Sequence, residues 1–319
     1  MKQQPSKKIS NTKAPAKKKC QHQGRVITRY GAELILLDET GEHIRCTARR
    51  KNENIACGDI VCWQPSEQGN AVVTSIQARK NALSRPDRRG KPKAIAANID
   101  QIIIVCSWLP KPSWMLVDQY MIAAQQIDAD AIVVMNKTDL AEQYASDKDW
   151  QALKEYESID YKVIATNALS GEGIDKIQQE LANKTSIFVG QSGVGKSSII
   201  AQILPELSIK VGEISQSGEG KHTTTTADLY PVNNNGFVID SPGVRDFTPA
   251  KLDAEGIRQG YREFQSYAKY CRFNNCTHTH EPNCQVKQAV ENKEIPAGRY
   301  QRYLAKLTML GAFYSRTSS

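Results

Sequence analysis

Apolar positions between residues 24 and 85 fall into short extended runs at 24–29, 33–37, 43–47, 59–64 and 70–77. Turn-forming stretches such as Glu39-Thr40-Gly41-Glu42 and Gln68-Gly69-Asn70 separate them. Five short strands with almost no helical periodicity predict a small β-barrel. An OB-type barrel, which binds oligonucleotides across one sheet face, is the leading form; a β-module that only braces the next domain is the other. The basic runs Arg49-Arg50-Lys51 and 85–93 tip the reading towards RNA. Residues 83–93, rich in Pro, Arg, Gly and Lys, read as a linker.

Beyond that stretch the period changes. Ile102 to Cys106 is a continuous apolar run of the kind buried on both faces of a parallel sheet, and 114–127 carries Leu116, Tyr120, Ala123 and Ala124 at helical spacing. Strands are predicted at 131–135, 163–165, 186–189 and 237–239, and helices at 174–181 and 198–204. Strands alternating with helices imply a mainly parallel, doubly wound sheet that binds ligands at the C-terminal ends of its strands. From about 251 the pattern is helical: 252–270 with Ile257, Tyr261 and Phe264 on one face, a Cys/His-rich loop, then 297–314. This last module is too small to bury a good core, which makes a metal staple physically sensible. The predicted organisation is multi-domain α/β: a basic tail (1–23), the barrel (24–85), the α/β domain (86–250) and a helical module (251–319).

Charge sharpens this division. The formal charge of +8 over 319 residues is uneven: residues 1–20 hold seven Lys and no acid, 21–93 carry an excess of five positive charges, and the remainder is net negative. A basic tail feeding a basic barrel suggests a polyanion partner, because phosphate contacts release counterions; a solvated, disordered tail is the plainer reading. No apolar segment follows the N-terminal charges, so no secretory signal is expected, and no run of about 18 apolar residues is present to span a membrane. Cys46, Cys57, Cys62 and Cys106 are scattered in apolar stretches as buried thiols would be, whereas Cys271, Cys276 and Cys284 cluster. A reducing, cytoplasmic setting fits that usage, and nothing demands more than a monomer.

Gly190-Gln191-Ser192-Gly193-Val194-Gly195-Lys196-Ser197 satisfies G-x-x-x-x-G-K-[ST] between a predicted strand and a predicted helix, the context this phosphate loop requires. Its glycines let backbone amides wrap phosphates, Lys196 would neutralise the β- and γ-phosphates, and the Ser197 hydroxyl would ligate Mg2+. The choice of base comes from Asn136-Lys137-Thr138-Asp139. An Asp carboxylate accepts from the N1–H and N2 amino group of guanine, neither of which adenine presents, while Lys137 lies along the base plane. Asn167-Ala168-Leu169-Ser170-Gly171 is a second guanine-loop candidate at the next strand end.

Downstream, Asp240-Ser241-Pro242-Gly243 is the expected Asp-x-x-Gly, with Asp240 reaching Mg2+ through water and the Gly243 amide sensing the γ-phosphate. The hydroxyl-rich stretch 217–226 suits a switch loop in which a Thr binds magnesium. Val244 stands where many GTPases place a water-orienting Gln, so intrinsic hydrolysis should be slow and dependent on another group or partner. The guanine element precedes the phosphate loop, the reverse of the ordinary GTPase order, so the P-loop GTPase domain is predicted to be circularly permuted.

Cys271-x4-Cys276-x-His278-x5-Cys284 offers three thiolates and an imidazole with spacings that can close tetrahedrally on Zn2+. His280 is the competing imidazole; His278 is favoured by its place beside Cys276. Four protein ligands leave no position open for water, so one structural zinc is expected.

In order, the chain carries Asn-Lys-Thr-Asp, Gly-x-Ser-Gly-Val-Gly-Lys-Ser-Ser, Lys221-His222-Thr223-Thr224-Thr225, Asp-Ser-Pro-Gly and Cys-Arg-Phe-x-x-Cys-x-His-x-x-Glu-Pro-x-Cys. From about Gly24 onward it resembles the RsgA (YjeQ/YloQ) family of bacterial GTPases that depend on the small ribosomal subunit. The resemblance implies an N-terminal OB domain, a permuted GTPase domain and a C-terminal zinc domain. It also implies a late maturation role on the 30S subunit and its 16S rRNA, with hydrolysis of GTP to GDP and phosphate stimulated by that subunit and used to leave it.

Carried onto this sequence, it implies GTP contacts at Gly190, Gln191, Ser192, Gly193, Val194, Gly195, Lys196, Ser197 and Ser198, and at Asn136, Lys137, Thr138 and Asp139, with zinc on Cys271, Cys276, His278 and Cys284. His222 matches the switch-loop His proposed in the family to help hydrolysis. Two positions depart from the family: Glu219 stands where Arg is frequent, and Asn167 replaces the more common Ser of the guanine loop. A nucleotide-gated RNA- or ribosome-binding module with incidental hydrolysis is the alternative. A regulatory GTPase at a membrane surface is a third reading, against which the missing lipidation signals argue.

Overall fold

The computed structural model describes residues 20–48, 54–67, 70–86, 91–204, 227–240 and 253–317. Strands β1 (His22–Tyr30), β2 (Glu33–Asp38), β3 (His43–Ala48), β4 (Ile60–Gln64) and β5 (Ala71–Ile76) close into a barrel in the order β1-β2-β3-β5-β4. Each lies within two residues of a run read from the sequence. Val26, Leu34, Leu36, Cys46, Val61 and Val73 fill the interior, the inward half of the period-two alternation.

Two expectations need correction here. The described parts of the stretch 83–93, read as a linker, fall in or beside two paired antiparallel strands, β6 (Ala82–Pro86) and β7 (Pro92–Ala97). Leu83, Ala96 and Ala97 are buried, an apolar face that the Pro, Arg and Lys around it obscured. Cys62, expected as a free thiol, is joined to Cys20 by a disulfide. Antiparallel pairing of β1 with β4 sets Gln23 opposite Cys62 and brings the two cysteine Cα atoms to 5.4 Å, within bridging range. Cysteine usage therefore no longer argues for a reducing compartment. Cys46, Cys57 and Cys106 are free and buried as expected.

The central sheet has the order β10-β9-β8-β11-β13-β12, formed by β8 (Gln101–Ser107), β9 (Asp130–Asn136), β10 (Lys162–Ala165), β11 (Thr185–Val189), β12 (Asp228–Val232) and β13 (Gly236–Asp240). Its pairings are parallel except that of β12 with β13. Side chains alternate between two buried layers. Ile102, Ile104 and Cys106 pack with α1 (Trp114–Gln126) and α3 (Asp147–Ser158), while Ile103 and Val105 pack with α4 (Ile174–Leu181) and α5 (Lys196–Ile203). Cover on both faces is why β8 is apolar at consecutive positions. A short α2 (Ala141–Tyr144) precedes α3, whose Ser146 and Asp149 form a reciprocal capping box.

The C-terminal module contains α6 (Ala254–Gly260), α7 (Gln265–Ala268), α8 (Gln285–Glu291) and α9 (Ala297–Thr317). The single helix expected over 252–270 is broken. Gly260 lies so close to Ile122 of α1 that a Cβ there would collide, and Tyr261 turns inward, so the chain continues through a 3-10 turn at Arg262–Phe264. Ile257, Tyr261, Phe264, Val286, Ile295 and Tyr303 share their core with Ile122. The small module thus completes its apolar cluster on the α/β domain.

Charge closes the same seam. Arg299, wholly buried, bonds Asp118 of α1 and reaches Glu263 at 2.7 Å; Arg302 bonds Asp118 at 2.9 Å and Glu155 of α3 at 3.1 Å. The Tyr156 hydroxyl donates to Asp118 at 2.5 Å. Lys306 donates to the Met115 carbonyl at 2.8 Å, and burial pushes its ammonium down to about 8. On the opposite side, Arg25 of the barrel donates to Thr185 Oγ1 at 2.9 Å and lies 4.4 Å from the Phe237 ring centroid, fixing the barrel against β11 and β13.

Candidate nucleotide site and metal cluster

Asn136, Gly190 and Asp240 end or directly follow the parallel strands β9, β11 and β13, and Asn167 comes two residues after β10. Parallel strands share one C-terminal edge, so these residues, remote in sequence, meet there. The sheet order places β8 between β9 and β11. Asn136 and Lys137 at the tip of β9 therefore reach the phosphate loop across the end of β8.

Asn136 is buried and makes that junction. Its Nδ2 donates to the Val194 carbonyl at 2.9 Å, and its Oδ1 accepts from the Ala168 amide at 3.1 Å. Gly195 adopts φ +97°, and a Cβ at that position would run into Asn136 Nδ2. Glycine is required there both for the left-handed backbone and for the contact. Lys137, itself left-handed at φ +59°, sends Nζ to the carbonyls of Leu109 and Gly193, each at 2.7 Å. Its extended stem provides a surface along which a base plane can lie.

Thr138 and Asp139 begin a 3-10 turn at Thr138–Leu140, and Asp139 is exposed, its carboxylate open to a ligand. The Thr138 amide donates to the Thr166 carbonyl at 3.3 Å, and the Thr166 amide to Met135 O at 2.9 Å, binding the two guanine-loop candidates together. Asn167 Oδ1 accepts from the Leu169 amide at 3.0 Å and the Ser170 amide at 3.5 Å. That Asx turn is a job Ser does more weakly, which explains why Asn is accommodated.

In the phosphate loop, Lys196 is buried and its Nζ lies 2.7 Å from the Gly190 carbonyl and 2.5 Å from that of Gln191. The ammonium is held inside the loop, where phosphate oxygens can exchange for these carbonyls. Val194 is buried, Gln191 partly so, and Ser192, Gly193, Ser197 and Ser198 are exposed. Ser197 and Ser198 sit in the first turn of α5, whose free amides favour anions. Asp240 stands opposite Asp228 across the β12–β13 hairpin; burial, reinforced by the Asp240 charge, raises the Asp228 carboxyl above its ordinary range. Burial also pushes the nearby Cys106 thiol up to about 12, which makes it inert. His222, Gly243, Glu219, Val244 and the 217–226 stretch lie outside the described residues, as do Arg49, Arg50 and Lys51.

The cluster Cys271, Cys276, His278 and Cys284 places one donor atom from each residue within 4.8 Å of the others. Cys271 Sγ is 3.7 Å from His278 Nδ1 and 3.9 Å from Cys284 Sγ, and His278 Nδ1 is 3.4 Å from Cys284 Sγ. Those three separations match edges of a tetrahedron with metal bonds of roughly 2.0–2.3 Å, and three thiolates with one imidazole are a donor set that fits zinc. Of the two candidate imidazoles, His278 is buried with Nδ1 in the cluster, whereas His280 is exposed and bonded to Thr279 at 2.9 Å. Tyr300 donates to the His278 carbonyl at 2.7 Å and Tyr303 to that of Thr277 at 2.5 Å. Glu281 accepts from the Thr277 amide at 2.7 Å and the Thr279 amide at 3.0 Å, so α9 and Glu281 together hold the ligand loop.

Sequence reasoning missed the loop after β8. Leu109 supplies a carbonyl to Lys137, and Pro110 lies 3.7 Å from the position a Gly193 Cβ would occupy. Its Leu-Pro-Lys-Pro sequence signals a rigid turn but carries no chemistry of its own.

The RsgA GTPase family matches residues 76–249. The small ribosomal subunit biogenesis GTPase RsgA of Histophilus somni (strain 129Pt) is 42% identical over 292 residues, 90% of this chain and 83% of that protein. Small ribosomal subunit biogenesis GTPase RsgA 1 of Vibrio vulnificus (strain YJ016) is 43% identical over 288 residues, 88% and 81% of the two chains. The crystal structure of YjeQ from Thermotoga maritima is similar with a TM-score of 0.73 at 32% identity, covering 91% of this chain and 98% of its own. That of YloQ, described as a circularly permuted GTPase, gives 0.72 at 27% identity, covering 91% and 95%.

Proposed function

This chain belongs to the RsgA GTPase family, and we propose that it couples GTP hydrolysis to late maturation of the small (30S) ribosomal subunit. The observation that carries the guanine half of this reading is the bridge from Asn136 to Val194 and Ala168, which unites the upstream and downstream motifs in one pocket edge. The names of the relatives, small ribosomal subunit biogenesis GTPases, support the partner.

In this reading Asp139 and Lys137 select guanine, Asn136 and the 167–168 backbone hold the loops that frame the base, and residues 190–198 embrace the phosphates. Ser197 would hold Mg2+, with Asp240 reaching it through water, and what the ion would supply there is neutralisation of charge on the transferring phosphoryl group. Lys196 draws charge from the β- and γ-phosphates, the Gly243 amide senses the γ-phosphate, and His222 assists or positions the attacking water in place of the absent Gln. Cys271, Cys276, His278 and Cys284 would hold one structural zinc. The barrel of 24–85, the GTPase domain of 86–250 and the zinc module of 251–319 act together on 16S rRNA, with the basic tail 1–23 adding counterion release. In this reading the chain works as a monomer in the cytoplasm. Among the described residues no helix is long and apolar enough to cross a membrane.

The test is co-sedimentation with purified small subunits, large subunits and intact ribosomes. Retention on small subunits with a non-hydrolysable GTP analogue, and release with GDP, is expected. Equal pelleting with every particle, or none, would overturn the proposed partner.

A further inference from the structure

Tyr270 and Phe273 flank a metal-ligand candidate, Cys271, in the sequence Lys269-Tyr270-Cys271-Arg272-Phe273. While Cys271 turns towards the cluster, the two rings on either side stay outside: Tyr270 is 68% exposed and Phe273 39%. Exposing two large rings within four residues forgoes the burial that normally draws aromatics inward. The rings are not bare. The Lys269 ammonium lies 5.0 Å from the Tyr270 centroid, and the Arg272 guanidinium lies 5.5 Å from that of Phe273.

No acid competes for these cations within the segment, since the sequence contains no Asp or Glu between Glu263 and Glu281. Glu263 bonds Arg299, and Glu281 accepts from Thr277 and Thr279, so both flanking carboxylates are already engaged. Tight turns fix the backbone beneath the rings: the Tyr270 amide donates to Tyr267 O at 3.0 Å, Cys271 to Ala268 O at 3.1 Å, and Cys276 to Phe273 O at 3.1 Å.

From this juxtaposition we infer that the Tyr270–Phe273 face of the metal loop is a stacking platform for single-stranded RNA. Unpaired bases offer π-faces to exposed rings, and phosphates between them meet Lys269 and Arg272, which already stand over those rings. A duplex keeps its bases stacked on one another and has no free face to offer. The platform deepens the ribosomal reading, on which it rests, by naming unpaired nucleotides as the element that the metal module grips.

The probe is a fluorescein-labelled twelve-residue oligouridylate, alone or annealed to its oligoadenylate complement, added to the full zinc-loaded chain. The pair Tyr270→Ala and Phe273→Ala, which removes two stacking rings, should weaken single-strand binding by at least about 30-fold while leaving duplex binding and zinc content unchanged. Tyr270→Phe with Phe273→Tyr should keep wild-type affinity. Lys269→Gln with Arg272→Gln should flatten the salt dependence by about 0.7 per removed phosphate contact.

A 4-thiouridine version of the oligomer, cross-linked to the wild-type chain by light, should attach within 267–275. An alanine pair that retains zinc and binds the single strand within twofold of wild type would overturn the inference. So would cross-links confined to the barrel and tail. A wild-type chain that ignores small subunits yet loses the oligomer with these rings refutes the ribosomal reading alone; one that pellets with small subunits while the alanine pair still binds the oligomer refutes the platform alone.

Discussion

Asn136 Nδ2 donates to the Val194 carbonyl at 2.9 Å, across 58 positions of sequence. The bond fastens the end of β9 to the middle of the phosphate loop, and the same side chain holds the Ala168 amide. Asn136→Ala removes both partners and leaves a buried carbonyl and amide to be satisfied, at about 1–3 kcal/mol for each. GTP affinity should fall by roughly 10- to 100-fold, read by calorimetry, with far-ultraviolet circular dichroism unchanged. An unaltered affinity would mean that the two loops do not depend on this bridge.

Asp139 is exposed at the start of its 3-10 turn. Asp139→Asn converts an acceptor-only group into one that also donates, which mismatches the guanine amino group but suits the 2-oxo group of xanthine. Displacement of a fluorescent GDP analogue should require about 100-fold more GTP, and xanthosine triphosphate should become the better competitor. Retention of GTP preference would place base selection elsewhere.

Much of this was legible because each motif coincides with a strand end. The buried runs at 102–106 and 131–135 are apolar at consecutive positions, which only two covered faces explain, and the glycine-rich loop follows a third such strand. Elements without that signal were lost. Strand β12 carries Pro231 at the sheet edge, and α3 is rich in charge, although its Ser146–Asp149 capping box was there to be read. The Cys20–Cys62 bridge and the Asp118–Arg299 pair join residues 42 and 181 positions apart. Nothing local encodes such a partnership; it exists only once the barrel closes and the metal module docks.

The metal cluster makes a quantitative statement. Atomic emission should find one zinc per chain, and Cys276→Ala should lose it along with several degrees of thermal stability. Glu281→Ala removes the acceptor that holds the Thr277 and Thr279 amides. It should weaken zinc retention about 10- to 100-fold against a chelating dye, as loss of an outer-shell partner does. A chain that binds no zinc, or a Glu281→Ala variant with undiminished retention, would contradict this assignment.

Arg299 and Asp118 are both fully buried at the seam between the metal module and α1. Arg299→Met leaves the Asp118 and Glu263 carboxylates without one of their cations, and unfolding in urea should show a loss of about 3–5 kcal/mol. A loss under about 1 kcal/mol would be the value of a surface pair and would mean that the seam opens in solution.

The central claim is that this permuted GTPase is activated by the small ribosomal subunit, and GTP turnover tests it most directly. Phosphate release is measured for the purified chain alone and with small subunits, large subunits or intact ribosomes, with ATP as the control nucleotide. The account predicts slow turnover alone, strong stimulation by small subunits, and no reaction with ATP. Turnover that is the same with and without every ribosomal particle would contradict it.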